Sequence, residues 1–445
     1  MRLLIVAYDF PPNPSPQSLR WAYLVRELAA SGHEIRVITA DLPGYGPGGL
    51  PEIPNDVRIQ RVWPGPLSAL LRKRRSGDFS TGDAAAVARS DGTSTLASSS
   101  QLASLNWKGR LAKRLKDSLS LVLFPDYRAE WSPWARHALR RILSEFNPDV
   151  VVTSHEPACS LPLGIEASRQ GFFWAADLGD PVLAPYTPLR WRSRARRLER
   201  AVCKNATLVS VTSESFARLL SDRHGLDPSR CMVLPQGFDA NVDDQSVAAG
   251  IFEHDLLELL YTGRFYDFRR ADALLDAVVG IEGVRLSIAT PSAPEYVLRA
   301  AAAHPEKVRI LGFVKHRSAL QFQRRCDVLV NLANEDPVQI PGKVNEYLGS
   351  GRPILHVGDA EADATGRLIE ALHAGWHVKR NREEIQTLLR QIQRRHATVG
   401  IGGEERDVGT IAAYSWQRLA VDWVRRVELL SPSVQSVSGV PGGMA

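Results

Sequence analysis

Residues 340–355, Ile-Pro-Gly-Lys-Val-Asn-Glu-Tyr-Leu-Gly-Ser-Gly-Arg-Pro-Ile-Leu, hold the chemistry most easily read from this chain. Pro341-Gly342 predicts a turn opening a short helix, Glu346 stands one turn inside it, and Gly349-Ser350-Gly351 stops it. Arg352-Pro353 then leads into an apolar strand, Ile354 to Val357. The first turn of a helix offers unpaired N–H groups and the positive end of a dipole, which together suit an anion. Glu346, close to that anion, can accept hydrogen bonds from sugar hydroxyls. Phosphate at the helix mouth and hydroxyls at the carboxylate describe a nucleotide-sugar pocket. Lys343 either meets the phosphate or covers the helix. The same residues also fit an ordinary helix–strand pair of an α/β domain.

A second cationic cluster lies upstream. Arg264 directly follows the predicted strand Leu257–Tyr261, where ligands of α/β sheets bind outside the carboxyl ends of strands. Arg270 opens the next helix, with Arg269 as an adjacent alternative. A guanidinium fork suits phosphate oxygens, although two solvated arginines would look the same in sequence.

These residues need a scaffold, and the chain supplies alternating elements. In the first half we expect strands at Leu3–Tyr8, Ile35–Thr39, Asp149–Thr153, Phe172–Ala176, Leu208–Thr212 and Cys231–Leu234. Helices are expected at Ser18–Ala30 and Pro133–Phe146. A second series has strands at Leu257–Tyr261, Val284–Ala289, Val308–Leu311, Val328–Leu332 and Ile354–Val357, with helices at Ala271–Val279, Glu295–Ala303 and Ser318–Arg325. Strands spaced by helices imply parallel, doubly wound sheets. Tyr414–Leu430 reads as a late amphipathic helix with Ser415 as N-cap and a stripe of Trp416, Leu419, Val424 and Val427. The expected domains are 1–240, with a mobile Ser/Ala/Gly-rich insertion about 66–110, and 257–413. A linker at 241–256 joins them; the late helix at 414–430 and a disordered tail at 431–445 follow.

At 445 residues, two α/β domains are the natural expectation. Four scattered cysteines with no C-x-x-C fit a reducing cytoplasm and argue against structural zinc. The opening apolar run is too short for a signal peptide, and no window approaches the roughly 20 apolar residues of a spanning helix. The net charge of +6 is matched by residues 66–120 alone, where ten lysines and arginines face four aspartates. The remainder is balanced, which argues against nucleic acid as a partner. Within that segment, basic residues 108–116 run into the apolar patch 119–124. They read either as a surface for an anionic membrane through 107–124 or as a solvated helix packed on its domain.

Taken together, these features resemble the retaining glycosyltransferases of family 4, over about 1–65 and 125–430. The resemblance rests on Phe10-Pro11-Pro12, on Ser31-Gly32-His33-Glu34, on Ser154-His155-Glu156-Pro157 and on Ala176-Asp177-Leu178-Gly179-Asp180-Pro181. It continues with Gly263-Arg264 and Arg270, with Pro341-x-Lys343-x-x-Glu346-Tyr347 running to Gly351-Arg352-Pro353, and with Tyr414-Ser415-Trp416. It implies a GT-B fold, two Rossmann-like domains facing across a cleft, with the last helix crossing back to the first domain. It also implies transfer from a nucleotide-sugar donor to a glycan or lipid-linked glycan in bacterial polysaccharide assembly.

Carried over residue by residue, the resemblance makes Arg264, Arg270 and His155 catalytic, and Glu346, Lys343, Gly263 and Gly342 donor-binding. Asp180 and Ser18 become acceptor-binding, although Asp180 could equally cap a helix. The loop 12–18 is expected to offer backbone N–H groups, yet lacks the family's paired glycines. A second family glutamate falls on Val338, with Glu335 and Asp336 nearby. No cofactor or metal is expected; Asp359–Asp363 reads as a surface acidic stretch. Trp131–Trp134 reads as acceptor lining or as core. The expected location is cytoplasmic, with peripheral attachment to the inner face of the membrane as an option. The competing readings are a catalytically weakened partner subunit, motivated by Val338 and the glycine-poor first loop, and a nucleotide-sugar epimerase of the same architecture. A dinucleotide oxidoreductase fails for want of G-x-G-x-x-G after the first strand.

Overall fold

The computed structural model describes residues 1–44, 50–69, 123–242, 251–266, 269–334, 340–359, 363–398 and 406–431. Two compact units emerge. The described residues up to 235, together with those from Leu419 on, make the first unit; 236–418 make the second.

The first unit is a seven-stranded parallel sheet in the order β3-β2-β1-β4-β5-β6-β7. Its strands are β1 (Arg2–Val6), β2 (Glu34–Ala40), β3 (Arg58–Val62), β4 (Val150–His155), β5 (Phe173–Leu178), β6 (Leu208–Val211) and β7 (Cys231–Val233). β1 and β4 are buried along nearly their whole length because helices cover both faces, as parallel sheets require. Helix α1 (Pro16–Ala30) follows β1; the Ser15 hydroxyl accepts from the Ser18 amide at 3.0 Å and Pro16 occupies its first turn. α2 (Ser132–Phe146), α3 (Leu161–Arg169), α4 (Leu189–Asn205) and α5 (Glu214–His224) complete the layers. The strand order reverses between β1 and β4, so their carboxyl ends form the crevice where such sheets take ligands.

The second unit repeats this plan with six parallel strands in the order β10-β9-β8-β11-β12-β13. They are β8 (Leu257–Thr262), β9 (Val284–Ala289), β10 (Val308–Gly312), β11 (Val328–Leu332), β12 (Ile354–Val357) and β13 (Gly375–Val378). Helices α6 (Asp272–Val279), α7 (Glu295–Ala303), α8 (His316–Arg325), α9 (Gly342–Gly349), α10 (Ala364–Ala371), α11 (Arg382–Thr398) and α12 (Val408–Ala412) surround them. Here the order reverses between β8 and β11.

The last helix, α13 (Trp416–Leu430), is capped by the Ser415 hydroxyl, which accepts from the Arg418 amide at 3.3 Å. Its buried stripe is Trp416, Leu419, Ala420, Trp423 and Val427; the expected Val424 is only partly covered. From Leu419 onward the helix belongs to the first unit, where Trp423 meets Trp21 edge-on, centroids 6.5 Å apart.

Several elements escaped the sequence reading, notably β3, β13, α4 and α11. In α4 and α11 the buried apolar positions are few and diluted by long polar side chains. All but residues 66–69 of the expected insertion, most of the basic segment 107–124 and the tail beyond 431 lie outside the described residues, and so does Val338 with Glu335 and Asp336.

Candidate functional site

In the second unit, β8 delivers Tyr261 and Thr262 to the point of strand reversal, and Gly263 turns the chain with φ +133°, a conformation that favours glycine. Tyr347 on α9 pins that helix to the strand: its hydroxyl takes the Thr262 amide at 3.0 Å and meets the Thr262 hydroxyl at 2.9 Å. Tyr261 donates to the Arg264 carbonyl at 2.8 Å and so holds the loop. One turn before Tyr347, Lys343 points inward with Nζ 4.1 Å above the Tyr261 ring and 5.8 Å from that of Tyr347. Its hydrogen bond to the Thr262 carbonyl is long, at 3.4 Å. Burial, followed by the nearby Arg269, pushes the Lys343 ammonium well below its ordinary pKa; Glu346 pulls it back. Two cations thus share a desolvated strand end.

The neighbouring arginines part company. Arg269 is 9% exposed, hydrogen-bonds the Asn334 side-chain oxygen and lies 5.0 Å over the Tyr266 ring. Arg270 is turned outward, paired with Asp272 at 2.7 Å and laid over Tyr296. Of Arg270, expected at the diphosphate, and its alternative Arg269, it is Arg269 that lies beside Lys343. Arg264 is partly exposed, one residue past Gly263. Glu346 is largely enclosed and stands 3.9 Å from His316 Nε2, a partner not foreseen in sequence. Gly342 is the first residue of α9, whose cap residue Pro341 supplies no side-chain acceptor. A Cβ on Gly342 would meet the Gln236 side chain at 2.9 Å. The amides of the first turn of α9 therefore keep donors to offer.

The Asp359–Asp363 stretch is not a plain surface patch. Asp363 is buried, caps α10 by accepting from the Thr365 and Gly366 amides, and stands 3.0 Å from His356 Nε2. Among the described residues no group of three acids, histidines or cysteines could hold a metal ion.

In the first unit, β4 ends at His155, which is the last strand residue rather than a loop residue after it. Its ring is buried and neutral: desolvation drives its pKa down to about 4, Arg128 adds to the fall, and Asp180 opposes it. The Gly179 amide donates to the His155 carbonyl at 3.0 Å, and the Gln17 side-chain amide lies where a Cβ on Gly179 would stand. His155 Nδ1, the Ser154 and Ser18 hydroxyls and Gln17 Oε1 are all buried without a hydrogen-bond partner. Buried polar atoms left this way call for a ligand or water. Asp180 does not cap a helix, because α4 begins only at Leu189 behind Pro188. Gln17 and Ser154 were missed, although each adjoins a residue singled out in sequence. The Trp131–Trp134 stretch divides: Trp131 is core, edge-on to Tyr8, while Trp134 is surface, 4.4 Å from Trp63.

Two doubly wound parallel sheets, each with its polar residues at the point of strand reversal, define the GT-B architecture. Solved structures agree. A glycosyltransferase from Rickettsia africae superposes with TM-score 0.55 at 11% identity, covering 96% of this chain and 98% of that one. The E. coli trehalose-6-phosphate structure bound with UDP-2-fluoro glucose gives 0.58 at 13%, covering 96% and 99%. The UDP-GlcNAc 2-epimerase of Methanocaldococcus jannaschii gives 0.53 at 12%, covering 96% and 100%. At such identities the likeness is one of fold, and it spans transferase and epimerase alike. No curated protein matches the chain in sequence. Residues 17–237, about half of the chain, match the model of the glycosyl transferase 4-like domain. The chain belongs to that family and is a glycosyltransferase of the GT-B fold.

Proposed function

We propose that the chain moves a hexosyl or N-acetylhexosaminyl group, with retention of configuration, from a nucleotide-sugar to a glycan or lipid-linked glycan in cell-surface polysaccharide assembly. The observation that carries the donor half is Lys343, a desolvated cation held by two aromatic rings beside the uncapped mouth of α9. In this reading Lys343, Arg264 and Arg269, with Arg270 at the rim, stabilise the departing nucleoside diphosphate, each such group being typically worth ~3–4 kcal/mol in rate. Glu346 accepts hydroxyls of the nucleoside, and Gly263 and Gly342 keep the backbone close to the phosphates. Neutral His155, with Ser18 and Asp180, hydrogen-bonds sugar hydroxyls. The leaving phosphate oxygen takes the acceptor proton, so positioning dominates. Because side-chain cations supply the positive charge, transfer is metal-independent in this reading; loss of activity in chelator, restored by magnesium or manganese, would overturn that part.

The donor site is tested by thermal shift with UDP, GDP, dTDP and their sugars. Ligand at 100 times its dissociation constant should stabilise by ~2.7 kcal/mol. A shift with one nucleotide, lost in Glu346→Ala, supports the reading and identifies the base. No shift with any nucleotide favours the weakened partner subunit. The lipid half rests on the basic segment 107–124. Among the described residues no helix is long and apolar enough to cross a membrane, so contact with lipid would be peripheral.

A further inference from the structure

Helix α4 carries six arginines and one lysine in seventeen residues. Its only acid, Glu199, is buried, receiving Arg223 at 2.7 Å, His224 at 2.8 Å and the Leu183 amide at 2.9 Å. Trp191, Ala195, Val202 and Cys203 also turn inward, which leaves Arg190, Arg194, Arg196, Arg197, Arg200 and Lys204 exposed on the other side. The helix is about 25 Å long at the helical rise. Two cations of its first turns are held in place: Arg192, exposed at the amino end, donates to the Pro185 carbonyl at 3.0 Å, and Arg194 lies 5.1 Å over the Trp191 ring. At the amino end of the same helix stand two unusually bare apolar side chains, Leu189 at 82% exposure and Tyr186 at 62%.

We propose that α4 is the face by which the first unit docks on an anionic lipid bilayer. Arg196, Arg197, Arg200 and Lys204 would meet headgroup phosphates, with Leu189 and Tyr186 seated at the headgroup boundary. A cationic helix face with an apolar, aromatic end matches such a surface in both charge and polarity. Nucleic acid would match the charge and leave Leu189 bare in water. Phe124 packs on the buried side chain of Trp191 with centroids 5.6 Å apart, which helps to fix the inward face of the helix. This inference rests on the membrane part of the proposed function and assigns it to a different element.

The test is flotation of the full chain with vesicles of phosphatidylcholine alone or with 30% phosphatidylglycerol. Three variants are compared: Arg196→Glu/Arg197→Glu/Arg200→Glu, Leu189→Asp, and Lys108→Glu/Arg110→Glu/Lys113→Glu. Binding to the anionic vesicles only, released by 1 M salt and weakened at least tenfold in the α4 triple variant, with a smaller loss in Leu189→Asp, is the expected result. An unchanged melting temperature and an unchanged nucleotide shift in the triple variant separate this outcome from misfolding and from failure of the donor reading. Binding lost only in the 108–113 variant overturns the assignment to α4 while leaving the membrane reading intact. Absence of flotation by the wild-type chain overturns both. Wild-type affinity for a 20-base single-stranded DNA that exceeds the affinity for vesicles, and falls in the triple variant, replaces the bilayer with nucleic acid.

Discussion

Arg20 and Lys343 are both cations drawn into a strand-end crevice, and their surroundings are opposite. Arg20 is fully buried and bidentate to Asp177, at 2.8 and 2.9 Å, and it also donates to the carbonyls of Leu234 and Pro235 at 2.7 Å. Asp177 is completed by Trp21 Nε1 at 2.9 Å and Ser210 at 2.7 Å. Every charge there is answered within the fold. Lys343 has two rings and one long bond to a carbonyl, and among the described residues no carboxylate within hydrogen-bonding distance. A buried cation with a carboxylate holds the chain together; a buried cation without one is arranged for an anion that comes and goes. The comparison predicts that the two crevices fail in different ways.

The largest effect is expected at the paired cation. Asp177→Ala strands the Arg20 guanidinium and should cost about 3–5 kcal/mol of folding free energy, read from urea unfolding. At the unpaired cation the sign reverses. Lys343→Met removes a desolvated charge, so the melting temperature should hold or rise while transfer falls about 10²–10³-fold. A fall in both would mean that Lys343 is structural and would dissolve the comparison.

His155 sharpens the contrast because it is buried neutral. Above pH 6.5 neither the folded nor the unfolded state protonates it. As the pH drops, the unfolded chain takes up the proton first, and the native state follows only near pH 4. Stability should therefore decline from about pH 6.5 toward pH 4, by up to about 3 kcal/mol from this group. His155→Gln should flatten that slope. An unchanged slope would show that the ring titrates in the native state. The smallest effect separates neighbours. Arg269→Ala should reduce transfer far more than Arg270→Ala, whose pair with Asp272 is exposed and screened by solvent. Equal losses would return Arg270 to the diphosphate.

What sequence disclosed, and what it concealed, follows from the range of the forces involved. The two parallel sheets were legible because buried strands such as Val284–Ala289 and Val328–Leu332 are short, mostly apolar segments rich in branched side chains, and the expected bounds of both match the observed ones. The short helix α9 was legible from Pro-Gly and Gly-Ser-Gly. The choice between Arg269 and Arg270 was not. It depends on Asn334 and Asp272 competing for two adjacent guanidinia, and Asn334 stands some sixty residues away. The cationic face of α4 was likewise hidden, because an arginine-rich run reads alike in a loop and on a helix until Trp191 and Ala195 show which side turns in. Asp363 misled for the same reason, since its burial is set by His356 across the sheet end.

The edge-on packing of Trp423 against Trp21 joins residues about 400 positions apart within a single unit. During synthesis at roughly 5–20 residues per second, Trp21 leaves the ribosome some tens of seconds before its partner exists. The first unit is thus begun before the second is translated and completed only after it. A fragment ending at Pro235 would expose the Trp21 surface permanently. A circularly permuted gene that begins with residues 416–431 would supply the missing helix at once.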